Sequence, residues 1–284
     1  GWYDAVCHMF STVSTGGFSV YEDSIARYDN LLICWAVTFF MFVGGIGFSV
    51  IIYFASGHIR KALQNTEFKV YTAILALSGI AVTIAVYASS DASQPFFRTL
   101  TYGVFNTVSV MTTTGFMCDD YQKWLPITHS IFFILMIIGG CSGSTSGGIK
   151  VSRLILSYGL CRNHIEKSFR PRVVRPVRIN GKIIDEDDAY EVLSYVTMFA
   201  LIVMVSILAI SFFETDLELS ESITAVISLI NNVGPGVGRI GPAENYGFMN
   251  GASKIFLSVL MIMGRLEFYA VLALFMPSLW RKFQ

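Results

Sequence analysis

The apolar residues of this chain are gathered into long uncharged runs separated by short polar segments. Runs long enough to cross about 30 Å of hydrocarbon occur at 31–56, 70–90, 124–149 and 192–213, with a fifth at 255–280 interrupted by Arg265 and Glu267. Each predicts a spanning helix. Between them lie three shorter apolar segments, 5–18, 99–116 and 222–237, that end in glycine-containing turns. With about ten to thirteen helical residues at 1.5 Å rise, such a segment reaches partway through a bilayer and must then return. That pattern predicts re-entrant loops.

The polar segments carry a clear charge asymmetry. Arg153, Arg162, Lys167, Arg170, Arg172, Arg175, Arg178 and Lys182 crowd one connection, Arg60, Lys61 and Lys69 follow the first full span, and Arg281 and Lys282 sit near the end. These basic stretches predict the cytoplasmic side. Glu22, Asp23 and Asp29, then Asp119 and Asp120, then Glu214, Asp216, Glu218 and Glu221 mark the opposite side, which the glycine turns share. Prolines, arginines and an Asn180-Gly181 turn between beta-branched pairs predict a short cytoplasmic ribbon within 170–192.

Composition agrees with a bilayer environment. Hydrophobic residues make up 54% of the 284, charged residues 14%, and the mean hydropathy is +0.59, values that belong to the membrane class. Net charge is zero, so charge names no partner and no nucleic acid is expected. The five cysteines form no C-x-x-C pair, which argues against a zinc site or a disulfide framework and for reduced packing thiols. The chain starts at Gly1 with no initiator Met and no signal-like core, so an upstream part is expected.

Set against one another, the glycine turns form an internal repeat. STVSTGGF (11–18), SVMTTTGF (109–116) and SLINNVGP (228–235) superimpose without a gap and align Gly17, Gly115 and Gly234. Downstream, FVGGIGF (42–48), IIGGCSG (137–143) and IMGRLEF (262–268) align Gly45, Gly140 and Arg265. The unit is an outer helix, a half-helix with its turn, and an inner helix. All copies share one orientation, so they should surround an axis along the membrane normal rather than form inverted repeats.

Unpaired backbone at membrane depth is tolerated where protein buries it or where it lines a water-filled cavity. Small side chains and glycine permit an extended backbone whose carbonyl oxygens replace the hydration shell of a bare cation. The candidate ion-binding strands are therefore Ser14, Thr15, Gly16 and Gly17; Thr112, Thr113, Thr114 and Gly115; and Asn231, Asn232, Val233 and Gly234. A tight turn capping a buried helix accounts for one Thr-Gly-Gly-Phe, but not for three aligned copies.

Together, STVSTGGFS, MTTTGF, NNVGPG, GGCSGSTSGGIK and GRLEF resemble the Trk/Ktr/HKT superfamily of potassium transporters, most of all its bacterial TrkH branch, over nearly the whole chain. The resemblance implies an all-α multi-pass membrane protein of tandem M1-P-M2 repeats around a pseudo-fourfold pore. It also implies K+ as the transported ion, no covalent cofactor, a homodimer in the bacterial inner membrane with the filter facing the periplasm, and control by a cytosolic nucleotide-binding (TrkA-like) ring. Residues 1–64 then form the second repeat without its outer helix, 65–170 the third, 171–189 a basic cytoplasmic linker and 190–284 the fourth, with the first repeat expected upstream. Val233 and Pro235 make the fourth filter strand unlike the others.

Two features suggest a gate. The stretch 139–148 has poor helix propensity, and should break the inner helix just past the filter: Gly139, Gly140, Gly143, Gly147 and Gly148 supply flexibility, and Ser142, Ser144, Thr145 and Ser146 supply hydroxyls. By resemblance it is an intramembrane gating loop. It is no phosphate-binding P-loop, since Gly148-Ile149-Lys150 breaks the Gly-Lys-Ser/Thr requirement. Arg265 replaces the glycine of the other inner helices; a cation there costs roughly 2.5 to 3.5 kcal/mol on insertion scales and so faces a cavity or a partner. It is expected to reach the axis and oppose cation passage, with Glu267 and Glu244 as alternative counter-charges.

Two other classes compete. GCSG at 140–143 matches the short motif of intramembrane serine proteases, but none of the four histidines lies on a later helix at similar depth, as a base for Ser142 requires. A secondary symporter coupled to H+ or Na+ is the main alternative to a channel-like path.

Overall fold

The computed structural model describes the chain except residues 90–94, 171–177, 180–181, 184–185, 267, 278–279 and 281–284. The expected Asn180-Gly181 turn, Arg172, Arg175, Glu267, Arg281 and Lys282 thus lie outside the described residues. The fold is all-α apart from one ribbon, β1 (Arg178–Ile179) and β2 (Lys182–Ile183), paired antiparallel with Arg178 opposite Ile183.

Three times the chain runs from a half-helix through a glycine hairpin into an inner helix. The half-helices are α1 (Trp2–Val13), α6 (Phe96–Met111) and α10 (Leu219–Ile230). The inner helices are α2 (Leu31–Gly44) continuing into α3 (Phe48–Ala55), α7 (Pro126–Ile138) continuing through a loop into α8 (Val151–Phe169), and α11 (Gly251–Leu266) followed by α12 (Phe268–Ala273). A short α4 (Ile59–Gln64) precedes the long outer helix α5 (Thr66–Ser89); a second outer helix, α9, spans Glu186–Phe213.

Local chemistry sets several of these boundaries. The Asn30 carboxamide oxygen accepts the Leu32 and Ile33 amides at 2.9 and 3.4 Å, capping α2. Pro126 opens α7, where a missing N–H costs nothing. Glu218 and Glu221 form a capping box on α10.

Among the described residues, two helices are long and apolar enough to cross a membrane, Thr66–Ser89 and Asp188–Phe213, with a third if α2 and α3 count as one span. The apolar run at 31–56 is therefore not one straight helix: α2 and α3 meet at 109°. The inner run at 124–149 also breaks, at 139–150. Gly44, Gly45 and Gly47 give the first break, and its freed backbone groups find partners in the 139–150 loop. The middle half-helix is also longer than expected, at 16 residues.

The core lies between α6 and its neighbours α2, α5 and α7, extends to α10 where that helix packs on α7, and includes Met41, Tyr71, Phe105, Met111, Phe132 and Ile230. Large apolar side chains face outward instead on α5 and α9, among them Leu77 at 70% and Phe212 at 80% exposure. That arrangement suits lipid rather than water. The five cysteines are free, and Cys34, Cys118 and Cys141 are buried.

The α5–α6 contact is close. A Cβ on Gly103 would lie 2.6 Å from the Thr83 hydroxyl and 3.2 Å from its Cα. Gly103→Ala should cost about 1 to 3 kcal/mol by overpacking, seen as a lower apparent melting temperature in detergent, with Thr83→Ala returning part of the loss.

Candidate functional site

Each hairpin begins where a half-helix ends, and all three share one backbone. The amides of Ser14, Thr112 and Asn231 donate to Phe10, Val108 and Ile227 at 3.0, 2.9 and 3.2 Å. Those of Thr15, Thr113 and Asn232 donate to Thr12, Val110 and Leu229 at 3.1, 3.1 and 3.0 Å, and those of Gly16, Thr114 and Val233 to Ser11, Ser109 and Ser228 at 2.7, 2.9 and 2.8 Å.

The hand of the backbone then alternates. φ is −80°, −78° and −90° at Ser14, Thr112 and Asn231, and +50°, +54° and +59° at Thr15, Thr113 and Asn232. It is negative at the next residue and +69°, +82° and +102° at Gly17, Gly115 and Gly234. Alternating hand turns successive carbonyls toward one side of a strand, in the way that successive N–H groups converge in an anion nest. The carbonyls of Thr15, Gly16, Gly17, Thr112, Thr113, Thr114, Gly115, Asn231, Asn232 and Val233 accept no hydrogen bond from the described residues. Left-handed geometry at a β-branched threonine costs on the order of 1 to 3 kcal/mol, so the surrounding contacts must hold Thr15 and Thr113 in place.

The hairpins also touch in sequence. A Cβ on Gly17 would fall 1.7 Å from the Thr114 carbonyl oxygen, and one on Gly115 would fall 2.0 Å from that of Val233. Glycine is thus required twice over, by conformation and by the neighbouring strand. A Cβ on Gly234 would meet no described atom within 4 Å. The middle hairpin, flanked on both sides, is the most buried: Thr112, Thr113 and Thr114 are at most 1% exposed.

The third strand, which carries Val233 and Pro235, has a bond at its glycine that the other two lack among the described residues. The Tyr246 hydroxyl donates to the Gly234 carbonyl at 2.7 Å. Burial pushes this phenol above its usual range, so it stays protonated and able to donate. Beyond the turns, Ser109 and Ser228 each donate to a return-strand carbonyl, Phe116 or Pro235, at 2.7 Å. The equivalent Ser11 hydroxyl is buried without a partner among the described residues.

The loop 139–150 lies against the starts of all three hairpins. The Thr15 hydroxyl donates to the Thr145 carbonyl at 2.8 Å, and the Gly147 amide donates to the Thr113 hydroxyl at 2.6 Å. A Cβ on Gly147 would fall 2.2 Å from the Asn231 carbonyl. The two strained threonines are therefore held by the loop, whereas the equivalent Asn232 side-chain nitrogen is buried without a partner among the described residues.

The loop's other flank is pinned to the broken inner helix. The amides of Cys141 and Thr145 donate to Gly45 and Gly44 at 2.9 and 3.2 Å, and that of Phe48 donates to Gly143 at 2.9 Å. The loop closes on itself through Ile149 to Ile137, Lys150 to Ile138 and Val151 to Gly140, at 3.1, 3.0 and 3.0 Å. Ser144 and Ser146 share a 2.6 Å hydroxyl contact.

Arg265 reaches this assembly from α11. Its guanidinium donates to the Thr145 carbonyl and, at 3.5 Å, to that of Ser14. The ion pairs among the described residues do not include it, so Glu244 is not its partner, and Glu267 lies outside the described residues. With Gly264, Lys150 and Tyr195, Arg265 and the loop line a cavity of about 390 Å³. Ser142 has no histidine base: its amide donates to Glu67, and the His129 ring donates through Nε2 to the Tyr121 carbonyl at 2.8 Å.

Glu67 joins the loop assembly although the sequence reading did not single it out. Its carboxylate accepts the Ser142 amide at 2.5 Å and the Ser152 amide at 3.2 Å, stapling the loop to the start of α8. A lone carboxylate in the first turn of an otherwise apolar span was the available signal. Losing bonds to a charged acceptor should cost the loop about 1.5 to 3 kcal/mol in Glu67→Ala. Hydrogen exchange over 139–152 should then accelerate, with Glu67→Gln, which keeps a carbonyl acceptor, retaining most of the protection.

Known proteins share both sequence and fold with this chain. Residues 1–282 match the TrkH family of cation transport proteins. The Trk system potassium uptake protein TrkI of Halomonas elongata is 34% identical over 281 residues, covering 98% of this chain and 56% of that protein. TrkH of Salmonella typhimurium is 29% identical over 281 residues, covering 99% and 57%. The crystal structure of the potassium transporter TrkH from Vibrio parahaemolyticus superimposes with a TM-score of 0.89 at 28% identity, covering 98% of this chain and 59% of that one. The chain thus spans little more than half the length of these relatives. The family is one of membrane transport proteins and not of enzymes, and this chain belongs to it.

Proposed function

We propose that the chain forms three strands of a selectivity filter in a potassium-uptake protein with a channel-like pore. The observation that carries this reading is the repeated alternating-hand hairpin with unpartnered carbonyls. Such oxygens can replace the water of a dehydrated monovalent cation, and the relatives named above are potassium uptake proteins. The filter residues are Ser14 to Gly17, Thr112 to Gly115 and Asn231 to Gly234, with K+ as cargo. A fourth hairpin from outside residues 1–284 would pack against Gly234 as Thr114 packs against Gly17.

The gate in this reading is the loop 139–148 together with Arg265, whose charge opposes cations leaving the filter. The charge asymmetry of the connections supports a filter facing the periplasm and basic segments facing the cytoplasm of a bacterial inner membrane. A homodimer and a cytosolic nucleotide-binding ring docking on the basic side complete the reading.

The test is flux through the full-length protein in liposomes. K+ and Rb+ should pass in preference to Na+ and Li+, and without a proton or sodium gradient; equal flux of all four would contradict a selective filter, and obligatory coupling to H+ or Na+ would favour a symporter. Arg265→Ala should raise K+ flux roughly tenfold, the change that ~1.4 kcal/mol of barrier represents. Unchanged flux would remove the barrier role.

A further inference from the structure

The resemblance to a phosphate loop fails at Lys150, and the sequence leaves that lysine without a role. The structure gives it an unusual placement. Lys150 has φ +83°, in the left-handed region that side-chain-bearing residues seldom adopt. Its amide is committed to the Ile138 carbonyl at 3.0 Å, and its ammonium reaches back four residues to donate to the Ser146 carbonyl. Arg265 donates to the carbonyl of the preceding residue, Thr145. Two cations from different elements therefore hold consecutive carbonyls of the gate loop, and both line the same cavity. Tyr195, also on its wall, carries a third cation: the Arg153 guanidinium stacks 3.9 Å from its ring centroid.

We propose that Lys150 is a second tethered cation of the gate, acting with Arg265 to occupy the carbonyl face of the loop and hold it against the hairpins. This rests on the transport reading above. A peptide oxygen engaged by an ammonium is not free to coordinate a passing dehydrated cation. Two fixed positive charges at one cavity also raise its potential against a third. The face made by the Thr145 and Ser146 carbonyls is thus a monovalent-cation site of the loop itself. Lys150 and Arg265 fill it in the closed arrangement, and a permeating ion takes it over when they withdraw. Lys150 is a gating residue by position, distinct from the filter strands.

The left-handed backbone separates the two explanations for a lysine here. Lys150→Gly removes the ammonium while relieving the conformational cost; Lys150→Met removes the ammonium and keeps a side chain; Lys150→Arg restores a cation of similar reach. Full-length protein carrying each change would be reconstituted in liposomes at matched amounts of folded protein, and Rb+ flux measured beside wild type. The lock predicts flux raised several-fold in both Met and Gly variants and brought back toward wild type in the Arg variant. Wild-type flux in the Gly variant, or unchanged or lower flux in both neutral variants, would overturn the lock while leaving the transport reading standing. No Rb+ flux in any of the four proteins would overturn the transport reading, and the lock with it.

Discussion

A peptide carbonyl at membrane depth must find a partner, and most of this fold is arranged around the few that find none among the described residues. Helices satisfy their own backbone; the hairpins at Thr15 to Gly17, Thr113 to Gly115 and Asn232 to Val233 leave theirs bare. Everything that holds those hairpins comes from elsewhere. The half-helices end into them, a glycine in one strand leaves room for the carbonyl of the next, and the 139–150 loop bonds the two strained threonines. The hairpins and the loop are one mechanical unit, because the Thr15 and Thr113 hydroxyls that support the strand conformation are the same groups that touch the loop.

The three strands are not equivalent, and the differences follow their surroundings. The middle strand is enclosed by both neighbours. The last has its terminal carbonyl bonded by Tyr246 and a glycine facing open space. The first lacks the serine bond that ties down the return strand in the other two. A ring built from such strands distributes its rigidity unevenly, with the stiffest quarter at Thr112 to Gly115.

Much of this was legible in the residues. The gap-free alignment of Gly17, Gly115 and Gly234 identified the hairpins, because only a shared backbone conformation demands glycine at the same offset three times. Gly139 to Gly148 marked the break in the middle inner helix, between α7 and α8. The break at Gly45 to Gly47 was not legible as a 109° bend, since the apolar run continues across it and no charge interrupts it. The bend depends on amides and carbonyls of the 139–150 loop, a tertiary partner about a hundred residues away. Glu67 was missed for the same reason: it accepts two backbone amides from 75 and 85 residues further along the chain, and backbone amides leave no mark in a sequence. Lys150 was read only against a phosphate-binding pattern and so discarded.

The most direct measurement of the central claim is anomalous diffraction from crystals of the full-length protein grown in Rb+ or Tl+. The account predicts a peak between the hairpins, within coordination distance of carbonyl oxygens from the Thr15, Thr113 and Asn232 strands together. Crystals that show bound Rb+ or Tl+ only elsewhere, with the hairpin carbonyls facing water or protein, would contradict it.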